Sequence, residues 1–173
     1  AHGTVRSLDE IRVWARSPVK AEAIVELYRK AGYTSSMVSN LEEATSWADI
    51  ISCATMSTKP LVLGKWLQRG THVDLIGGFK PTMRETDDEV IAIAKVFADT
   101  RDGVLAEAGD LLIPMEKGVF KPEDIAAELS ELTSHYHPGR TSESEITLFK
   151  SVGASLEDLA AAIRCYEKWL KES

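Results

Sequence analysis

The chain has 173 residues, which is enough for one domain with a hydrophobic core and short for two. Hydrophobic residues make up 44% of it and charged residues 27%, a globular composition that excludes disordered, collagen-like and disulfide-rich proteins. The formal net charge of −7 argues against duplex nucleic acid or an anionic membrane surface as a partner, because both attract basic proteins. Small molecules and other proteins are the expected partners.

Two features of the sequence predict a cytoplasmic protein. No apolar run approaches the ~20 residues that span a bilayer, and residues 1–4 lack the basic and then apolar pattern of an export signal. The two cysteines, Cys53 and Cys165, are too few for a disulfide framework or a CxxC metal site. We expect both to be reduced structural thiols.

A strand and a helix are predicted near the N-terminus. Residues 11–15 alternate weakly in polarity and predict a strand. Ser17 can cap the helix that follows, and Pro18 can occupy its first turn. Gly32 follows the last helical position, as is common at a helix C-terminus. The apolar residues of this helix recur at helical spacing: Ile24, Leu27, Tyr28 and Ala31.

Three further strands, separated by short helices, are predicted in the middle of the chain. The strands are apolar runs at residues 49–55, 72–76 and 95–99. Asn40 and Thr86 are each followed three residues later by Glu, the spacing of a capping box that opens a helix. Strands that alternate with helical patterns are typical of βαβ units, because parallel strands need helical crossovers. The sequence therefore predicts an α/β fold with a parallel sheet.

The pattern changes in the C-terminal half of the chain. Residues 108–114 resemble a loop, Pro122 is expected to open a helix, and residues 134–140 form a polar loop. Residues 146–153 predict the last strand, and Ser155 begins a long helix. The Pro122 helix has Ile125, Leu129 and Leu132 on one face, and the last helix has Leu159, Ala162, Ile163, Tyr166 and Leu170.

A ligand site is predicted where the parallel strands end. In an open parallel sheet the ligand crevice lies at the carboxyl ends of the strands. Four predicted strand ends carry unusual residues: Arg16-Ser17, Thr55-Met56-Ser57, Gly77-Gly78-Phe79 and Lys150-Ser151-Val152-Gly153. Ordinary loop composition explains any one of them, but their coincidence favours a binding crevice.

Arg16 bears on the choice of a nucleotide cofactor. An acidic residue usually ends the second strand of a dinucleotide-binding unit and binds the ribose 2′-hydroxyl, whereas Arg suits a 2′-phosphate. This favours NADP(H) over NAD(H); the alternative is that Arg16 is only a solvated cation. No G-x-G-x-x-G motif occurs in the chain. We therefore expect the first strand and the phosphate-binding turn of such a fold to lie upstream of Ala1.

Other candidate residues are expected to have structural or solvent roles. His135 and His137 have the spacing of metal ligands, but their polar loop offers no third ligand nearby, so we expect both to be exposed and to bind no metal. The four tryptophans are expected to be packing residues and not a base-stacking platform: Trp14, Trp47, Trp66 and Trp169.

Five blocks of sequence together resemble the ornithine cyclodeaminase/mu-crystallin family over nearly the whole chain. They are residues 11–16, 48–55, 76–85, 107–110 and 149–153. The resemblance implies a Rossmann-type, doubly wound NAD(P)-binding domain over residues 1–173, with a C-terminal helix and without its first strand and glycine-rich turn. It also implies that the family's dimerisation and substrate domain is largely absent. We expect a homodimer, or pairing of the first strand with a missing N-terminal segment.

The resemblance further implies which residues bind the cofactor. The residues implied to hold the adenosine 2′-phosphate are Ala15, Arg16, Ser17 and Lys20. Those implied to lie along the cofactor are Thr55, Met56 and Ser57. Those implied to approach the nicotinamide are Gly77, Gly78, Phe79 and Ser151.

Phe79 stands where the ornithine cyclodeaminases carry an Asp as catalytic base, directly after the Gly-Gly pair. A phenyl ring cannot manage protons during the deaminative cyclisation of ornithine. Ketimine reductases of the family also lack that Asp, so the resemblance favours NAD(P)H-dependent reduction of a cyclic imino acid, Δ1-pyrroline-2-carboxylate or Δ1-piperideine-2-carboxylate. Ornithine cyclodeaminase, another amino-acid dehydrogenase of the family and a non-catalytic ligand-binding fragment are the alternatives.

Overall fold

Parallel strands that alternate with helices make up the structure, a computed structural model that describes residues 2–172. The chain divides after Trp47 into a first unit, residues 2–47, and a second unit, residues 48–172. The α/β class with parallel strands that the sequence predicts is confirmed.

The first unit contains a two-stranded parallel sheet. Its elements are α1 (His2–Val5), β1 (Ile11–Val13), α2 (Pro18–Lys30), β2 (Ser35–Met37) and α3 (Leu41–Trp47). Ile11 pairs with Ser35 and Val13 with Met37. The sequence does not predict β2 because it contains no apolar run; its first residue is tied to β1 by the Ser35 hydroxyl, which donates to the Ile11 carbonyl at 3.0 Å.

The predicted helix starts of the first unit are confirmed in position, but only one is capped as expected. α2 begins at Pro18, and the Ser17 carbonyl accepts the N–H groups of Lys20 and Ala21, both at 3.1 Å. The Ser17 side chain makes no capping hydrogen bond, so that part of the prediction is wrong. Asn40 does cap α3, because its Oδ1 accepts the N–H of the second helical residue at 3.0 Å.

The buried face of α2 differs from the predicted apolar stripe. Ala21 and Val25, four residues apart on one helix face, are its two buried residues. Ile24 and Leu27 are exposed. The apolar spacing therefore predicts the helix correctly but not the side that faces the small sheet.

The second unit contains a five-stranded parallel sheet in the order β3-β4-β7-β5-β6. Its elements are β3 (Ile50–Cys53), β4 (His72–Leu75), α4 (Asp88–Ile93), β5 (Lys95–Ala98), α5 (Arg101–Glu107), α6 (Gly109–Glu116), β6 (Ile125–Glu128), α7 (Leu129–Thr133), β7 (Thr147–Lys150) and α8 (Ser155–Glu172), with 3₁₀ turns at Gly64–Trp66 and Pro122–Asp124.

The register of this sheet brings four strand ends level with one another. Cys53 at the end of β3 pairs with Leu75 at the end of β4, and Leu75 pairs with Lys150 at the end of β7. Ala98 at the end of β5 pairs with the same Lys150. The turns that follow these strands therefore emerge along one edge of the sheet, as the sequence predicts.

The hydrophobic core of the second unit lies under these strands. Apolar side chains from the strands and from α4, α5 and α6 form one buried cluster, which stabilises the unit by removing apolar surface from water. Its fully buried members include Val73, Leu75, Val90, Val104, Leu111 and Leu148.

Two segments of the second unit differ from their sequence predictions. Residues 108–114 are predicted as a loop, but α6 spans Gly109–Glu116 and contains Pro114. Its first residue packs closely enough on the chain at residues 80–83 that a Cβ there would collide with three backbone carbonyls. Because only glycine fits this contact, the Gly109 that suggested a loop is instead a packing residue of the helix.

The second difference lies at residues 122–133, where the sequence predicts one helix. The structure has a 3₁₀ turn, strand β6 and the short helix α7 instead. Ile125 and Ala127 alternate with half-buried residues, and β6 pairs with β5. The apolar spacing of Ile125, Leu129 and Leu132 fits a helix, but pairing with a neighbouring strand overrides it.

The helix start near residue 86 is also corrected. Asp87 caps α4, because its Oδ1 accepts the Val90 N–H at 3.1 Å. Thr86, the predicted cap, is fully buried, and its hydroxyl lies 3.2 Å from Oδ1 of Asp110. The predicted cap is therefore one residue too early.

α8 is confirmed as a long helix, yet none of its described residues is buried. The apolar side chains of its predicted stripe are exposed, among them Leu159, Ile163, Tyr166 and Leu170. Trp47 on α3 and Trp169 on α8 are exposed as well, so neither belongs to the core, although Trp47 packs against the Arg12 guanidinium and Trp169 stacks on Tyr166. Among residues 2–172, no helix is long and apolar enough to cross a membrane.

Candidate functional site

The turns at the carboxyl ends of β3, β4 and β7 carry the predicted site residues of the second unit. Met56 is 73% exposed and Phe79 is 40% exposed, so both side chains can contact a ligand. Ser57 is buried, and its hydroxyl donates to the Lys59 carbonyl at 2.7 Å. The structure therefore assigns Ser57 a role in shaping its own turn.

The peptide group between Gly77 and Gly78 is held at both ends. Lys150 Nζ donates to the Gly77 carbonyl in a short hydrogen bond. The Gly78 N–H donates to the Thr55 carbonyl at 3.4 Å. This peptide therefore links the turn after β4 to the turn after β3, and the end of β7 supplies the cation that holds it.

Lys150 is paired with a buried carboxylate. Its Nζ lies 3.7 Å from Oδ2 of Asp110, and both side chains are completely buried. The other carboxylate oxygen of Asp110 accepts the N–H groups of Glu85 at 2.7 Å and Thr86 at 3.0 Å. Asp110 therefore joins the cation on β7 to the segment that precedes α4.

Glu85 completes this buried group. Its Oε1 accepts the Thr55 N–H at 2.6 Å. Two carboxylate oxygens, Oε2 of Glu85 and Oδ2 of Asp110, are buried and have no hydrogen-bond partner among the described residues. We refer to Glu85, Asp110 and Lys150 together as the buried charge cluster.

Burial shifts the pKa values of Glu85 and Lys150 in the cluster and of the neighbouring Cys53. It raises the pKa of Glu85, and the nearby charge of Asp110 raises it further, although the hydrogen bond from Thr55 opposes both effects. Burial lowers the pKa of Lys150, with Asp110 acting in the opposite direction. Burial also raises the pKa of the Cys53 thiol, so this cysteine stays protonated and unreactive.

The glycine pair is explained by this cluster. A Cβ on Gly77 would collide with the Thr55 backbone and with Oε1 of Glu85. Gly78 has a φ of +65°, and a Cβ there would lie 2.5 Å from Oδ2 of Asp110. Both positions therefore need glycine because buried carboxylates lie directly against the backbone.

A third buried carboxylate, that of Asp99, arranges the turn after β7. Asp99, 3% exposed at the end of β5, accepts the Ser151 hydroxyl at 3.0 Å through its Oδ2. The same oxygen accepts the N–H groups of Val152 and Gly153, both at 2.8 Å. Ser151 is thereby held at the strand end beside Lys150.

The predicted site residues of the first unit follow β1, in the turn to α2 and in the first turn of that helix. Arg16 and Lys20 are exposed, and their side chains make no hydrogen bond or ion pair with another residue in the described part of the chain. A cavity of about 280 Å³ opens beside them. Its lining comes from both strand ends: Trp14, Ala15, Arg16, Pro18, Met37, Val38 and Ser39.

The structure thus brings Thr55, Gly77 and Ser151 together in the second unit, and groups Ala15, Arg16 and Ser17 in the first. Sequence patterns do not single out Glu85, Asp99 and Asp110, which lie beneath the turns, and they place Lys150 at a strand end without predicting its burial. Three of these four residues stand in the blocks that carry the family resemblance, but no local pattern shows that residues so far apart in the chain meet in the interior.

The remaining candidates have no catalytic arrangement. His135 is exposed, as expected, whereas His137 is half-buried, accepts the Gly139 N–H at 3.0 Å and packs edge-on against Phe97. Within residues 2–172 there is no cluster of potential metal ligands. Cys53 is buried and structural, but Cys165 is exposed on α8, contrary to the expectation of two structural thiols.

Comparison with known sequences gives several relatives. The chain is 43% identical over its whole length to an uncharacterised protein of Schizosaccharomyces pombe, of which it covers 55%. It is 40% identical to a Δ(1)-pyrroline-2-carboxylate reductase of Paracoccus denitrificans, with 90% of this chain and 49% of that protein covered. The chain therefore spans about half the length of the curated relatives it matches.

Solved structures share the fold. The Δ(1)-pyrroline-2-carboxylate reductase of Thermococcus litoralis, solved with NADH and L-proline, matches 98% of this chain and 53% of its own with a TM-score of 0.93 and 37% identity. An archaeal alanine dehydrogenase dimer with bound NAD matches 98% of this chain and 52% of its own with a TM-score of 0.89 and 30% identity. These matches confirm the predicted Rossmann-type α/β class. The sequence profile of the ornithine cyclodeaminase/mu-crystallin family matches residues 1–173, and the chain belongs to that family.

Proposed function

We propose that this protein reduces a cyclic imino acid to the corresponding amino acid with a reduced nicotinamide cofactor, and that residues 1–173 supply the cofactor-binding part. The substrate would be Δ1-pyrroline-2-carboxylate or Δ1-piperideine-2-carboxylate. The proposal rests on one observation, the exposed phenyl ring of Phe79 at the end of β4. It is supported by 40% identity to a relative named as such a reductase.

Phe79 favours reduction over cyclodeamination. Deaminative cyclisation needs an ionisable group to move protons between the two hydride transfers. Among the predicted site residues of these turns, the exposed Met56 and Phe79 and the half-buried Ser151 carry no carboxylate. Reduction of a C=N bond is simpler, because one hydride goes to the carbon and one proton to the nitrogen.

The residues of this chain would bind and orient the reactants. The nicotinamide supplies the hydride when the cofactor is bound. Thr55, Met56 and Phe79 would contact that half of the cofactor, and Asp99 would keep the Ser151 hydroxyl turned toward the same strand end. The apolar side chains of Met56 and Phe79 would exclude water from the reacting atoms.

We propose that NADP(H) is preferred over NAD(H). Arg16 precedes α2 and Lys20 lies in its first turn; both are exposed cations, and the Ser17 hydroxyl is not used to cap the helix. A 2′-phosphate would receive charge-assisted hydrogen bonds from these groups and lie near the positive end of the helix dipole. The adjacent cavity, lined in part by Trp14, Met37 and Val38, suits an adenine ring.

We further propose that the working protein is a homodimer, as the related archaeal alanine dehydrogenase is described to be. The exposed apolar side chains of α8 support this, since an apolar helix face of that size is usually covered in the functional assembly. Sedimentation velocity on the full-length protein tests it.

A steady-state assay tests the reaction. The full-length protein is incubated with NADPH or NADH and Δ1-pyrroline-2-carboxylate, and cofactor oxidation is followed with the formation of proline. Parallel reactions contain ornithine with the oxidised cofactor, and ammonia is measured. We expect oxidation of the cofactor only with the imino acid and no ammonia from ornithine. Ammonia release at a comparable rate would assign the protein to the cyclodeaminases instead, and no turnover in either reaction would favour a ligand-binding protein.

A further inference from the structure

We propose that the buried charge cluster positions the two strand-end turns that contact the nicotinamide end of the cofactor. Lys150 and Asp110 would fix the orientation of the Gly77–Gly78 peptide, and Glu85 would fix that of the Thr55 backbone. This proposal rests on the proposed function, because it requires a nicotinamide cofactor at the strand ends. Lys150, Asp110 and Glu85 would be positioning residues, since their side chains are completely buried and cannot touch the cofactor.

The charges of the cluster lie at one place in the interior of the second unit. Strands and helices together form one apolar core in this unit. The three fully buried charged side chains of the cluster lie directly beneath the turns after β3 and β4. Buried ion pairs add little net stability, because apolar side chains of similar volume often serve as well. The fold alone therefore does not account for three charged groups at this place.

The cluster holds the backbone of the turns after β3 and β4. The Thr55 backbone is bound at both its polar groups, by Oε1 of Glu85 at 2.6 Å and by the Gly78 N–H at 3.4 Å. The Gly77 carbonyl is bound by Lys150. Gly78 stands at a φ of +65°, a conformation that a free glycine exchanges readily for others. The cluster removes that freedom from the turn that carries Phe79.

Binding of the adenosine end of the cofactor is not expected to depend on the cluster. The residues proposed to hold the 2′-phosphate, Arg16 and Lys20, belong to the first unit and are not among the groups that the cluster binds. A defect in the cluster should therefore weaken contacts with the nicotinamide half selectively. This selectivity distinguishes positioning from a general loss of structure.

The test compares two probes in the full-length protein. NADPH and 2′-phospho-ADP-ribose, which lacks the nicotinamide, are titrated calorimetrically into Glu85→Ala, Glu85→Gln and the double variant Lys150→Met/Asp110→Asn. The glutamine retains an acceptor for the Thr55 N–H, and the double variant removes both charges while the asparagine Oδ1 still accepts from residues 85 and 86. Ile125→Ala, in the edge strand β6, is a control that loses core packing away from the cluster.

We expect Glu85→Ala and the double variant to bind NADPH about tenfold more weakly or worse, with less than about a threefold change for 2′-phospho-ADP-ribose. Glu85→Gln should bind both probes as the wild type does, and Ile125→Ala should show no selective loss. Equal losses for the two probes, unchanged NADPH binding, or a wild type that binds both probes equally would overturn the proposal. Failure of both Glu85→Ala and the double variant to fold would overturn it too, because the cluster would then be a requirement of the fold. The titrations contain no imino acid. A finding that the protein acts on a different substrate would therefore refute the proposed reaction and not the role of the cluster.

Discussion

The ammonium nitrogen of Lys150 and Oδ2 of Asp110 lie 3.7 Å apart with both side chains fully buried, although 40 positions separate the two residues in the sequence. Each charge compensates the other in a region that water does not reach. Removing one partner alone leaves an unpaired charge in the interior, whereas removing both does not.

Lys150→Met should therefore destabilise the protein by about 3–5 kcal/mol, measured as the free energy of unfolding in urea. Adding Asp110→Asn should restore about 1–3 kcal/mol of that loss, because the remaining partner is then neutral. Lys168→Met on α8 is the matched control: its ion pair with Glu172 is exposed, so it should cost less than about 1 kcal/mol. A Lys150→Met variant as stable as this control would contradict the pairing.

Glu85 should make stability depend on pH. Burial raises its pKa in the folded state above the ordinary value of 4.5, so the folded protein holds this proton more tightly than the unfolded chain does. The Glu85 contribution to stability is therefore complete below pH 4.5 and is lost as pH rises through the folded pKa. Glu85→Gln should gain stability relative to wild type as pH rises from 4 to 8.

This difference is measured as the free energy of unfolding of each protein at several pH values. Glu107→Gln, at an exposed carboxylate on α5, is the control for the loss of one carboxylate. If the Glu85→Gln difference does not change with pH, burial does not raise the pKa of Glu85 in the folded protein.

Gly78→Ala should be more harmful than Gly118→Ala. Both glycines have positive φ, +65° and +71°, so an alanine is strained by roughly 1–2 kcal/mol at either position. A Cβ at Gly118 meets nothing within 4 Å, whereas one at Gly78 would lie 2.5 Å from Oδ2 of Asp110. We expect Gly78→Ala to lose about 1–3 kcal/mol more in urea denaturation, the usual range for overpacking. Equal losses would show that the turn relaxes away from the carboxylate.

The sequence predicts most of the parallel strands because their apolar runs are local signals. β3, β4, β5 and β7 all fall inside predicted runs, and each is one to four residues shorter than predicted. The excess residues are the strand-end turns, where apolar and small side chains continue after backbone pairing stops. β2 is missed because Ser35-Ser36-Met37 has strand pairing without an apolar pattern.

The buried charges could not be predicted from local patterns. Charged residues are usually exposed, so no local pattern marks Glu85, Asp110 and Lys150 as buried before the fold brings them together. The sequence signal that could have found them is the glycine pair beside a strand end. The family resemblance implies that Gly77 and Gly78 approach the nicotinamide; the protein groups closest to them are the Thr55 backbone and the side chains of the cluster.

Arg16→Asp should change the cofactor preference of the full-length protein. Loss of a charge-assisted hydrogen bond costs about 1.5–3 kcal/mol, so NADPH binding should weaken roughly ten- to hundredfold while NADH binding is unchanged or improved. Calorimetric titration of both cofactors measures this. Arg6→Asp changes the net charge equally at another exposed position of the first unit and should alter both affinities alike. Identical NADPH affinities for the two variants would remove Arg16 from the phosphate site.

The most direct test of the proposed reaction follows the transferred hydrogen. The full-length protein is supplied with Δ1-pyrroline-2-carboxylate and, in separate reactions, with each stereospecifically 4-deuterated form of NADPH, and the proline formed is analysed by mass spectrometry and NMR. With one of the two forms, we predict proline that carries a single deuterium on its α-carbon, formed in equal amount to the cofactor oxidised. Unlabelled proline from both forms, or no proline from the imino acid while a parallel reaction with ornithine and the oxidised cofactor releases ammonia, would contradict the reductase assignment.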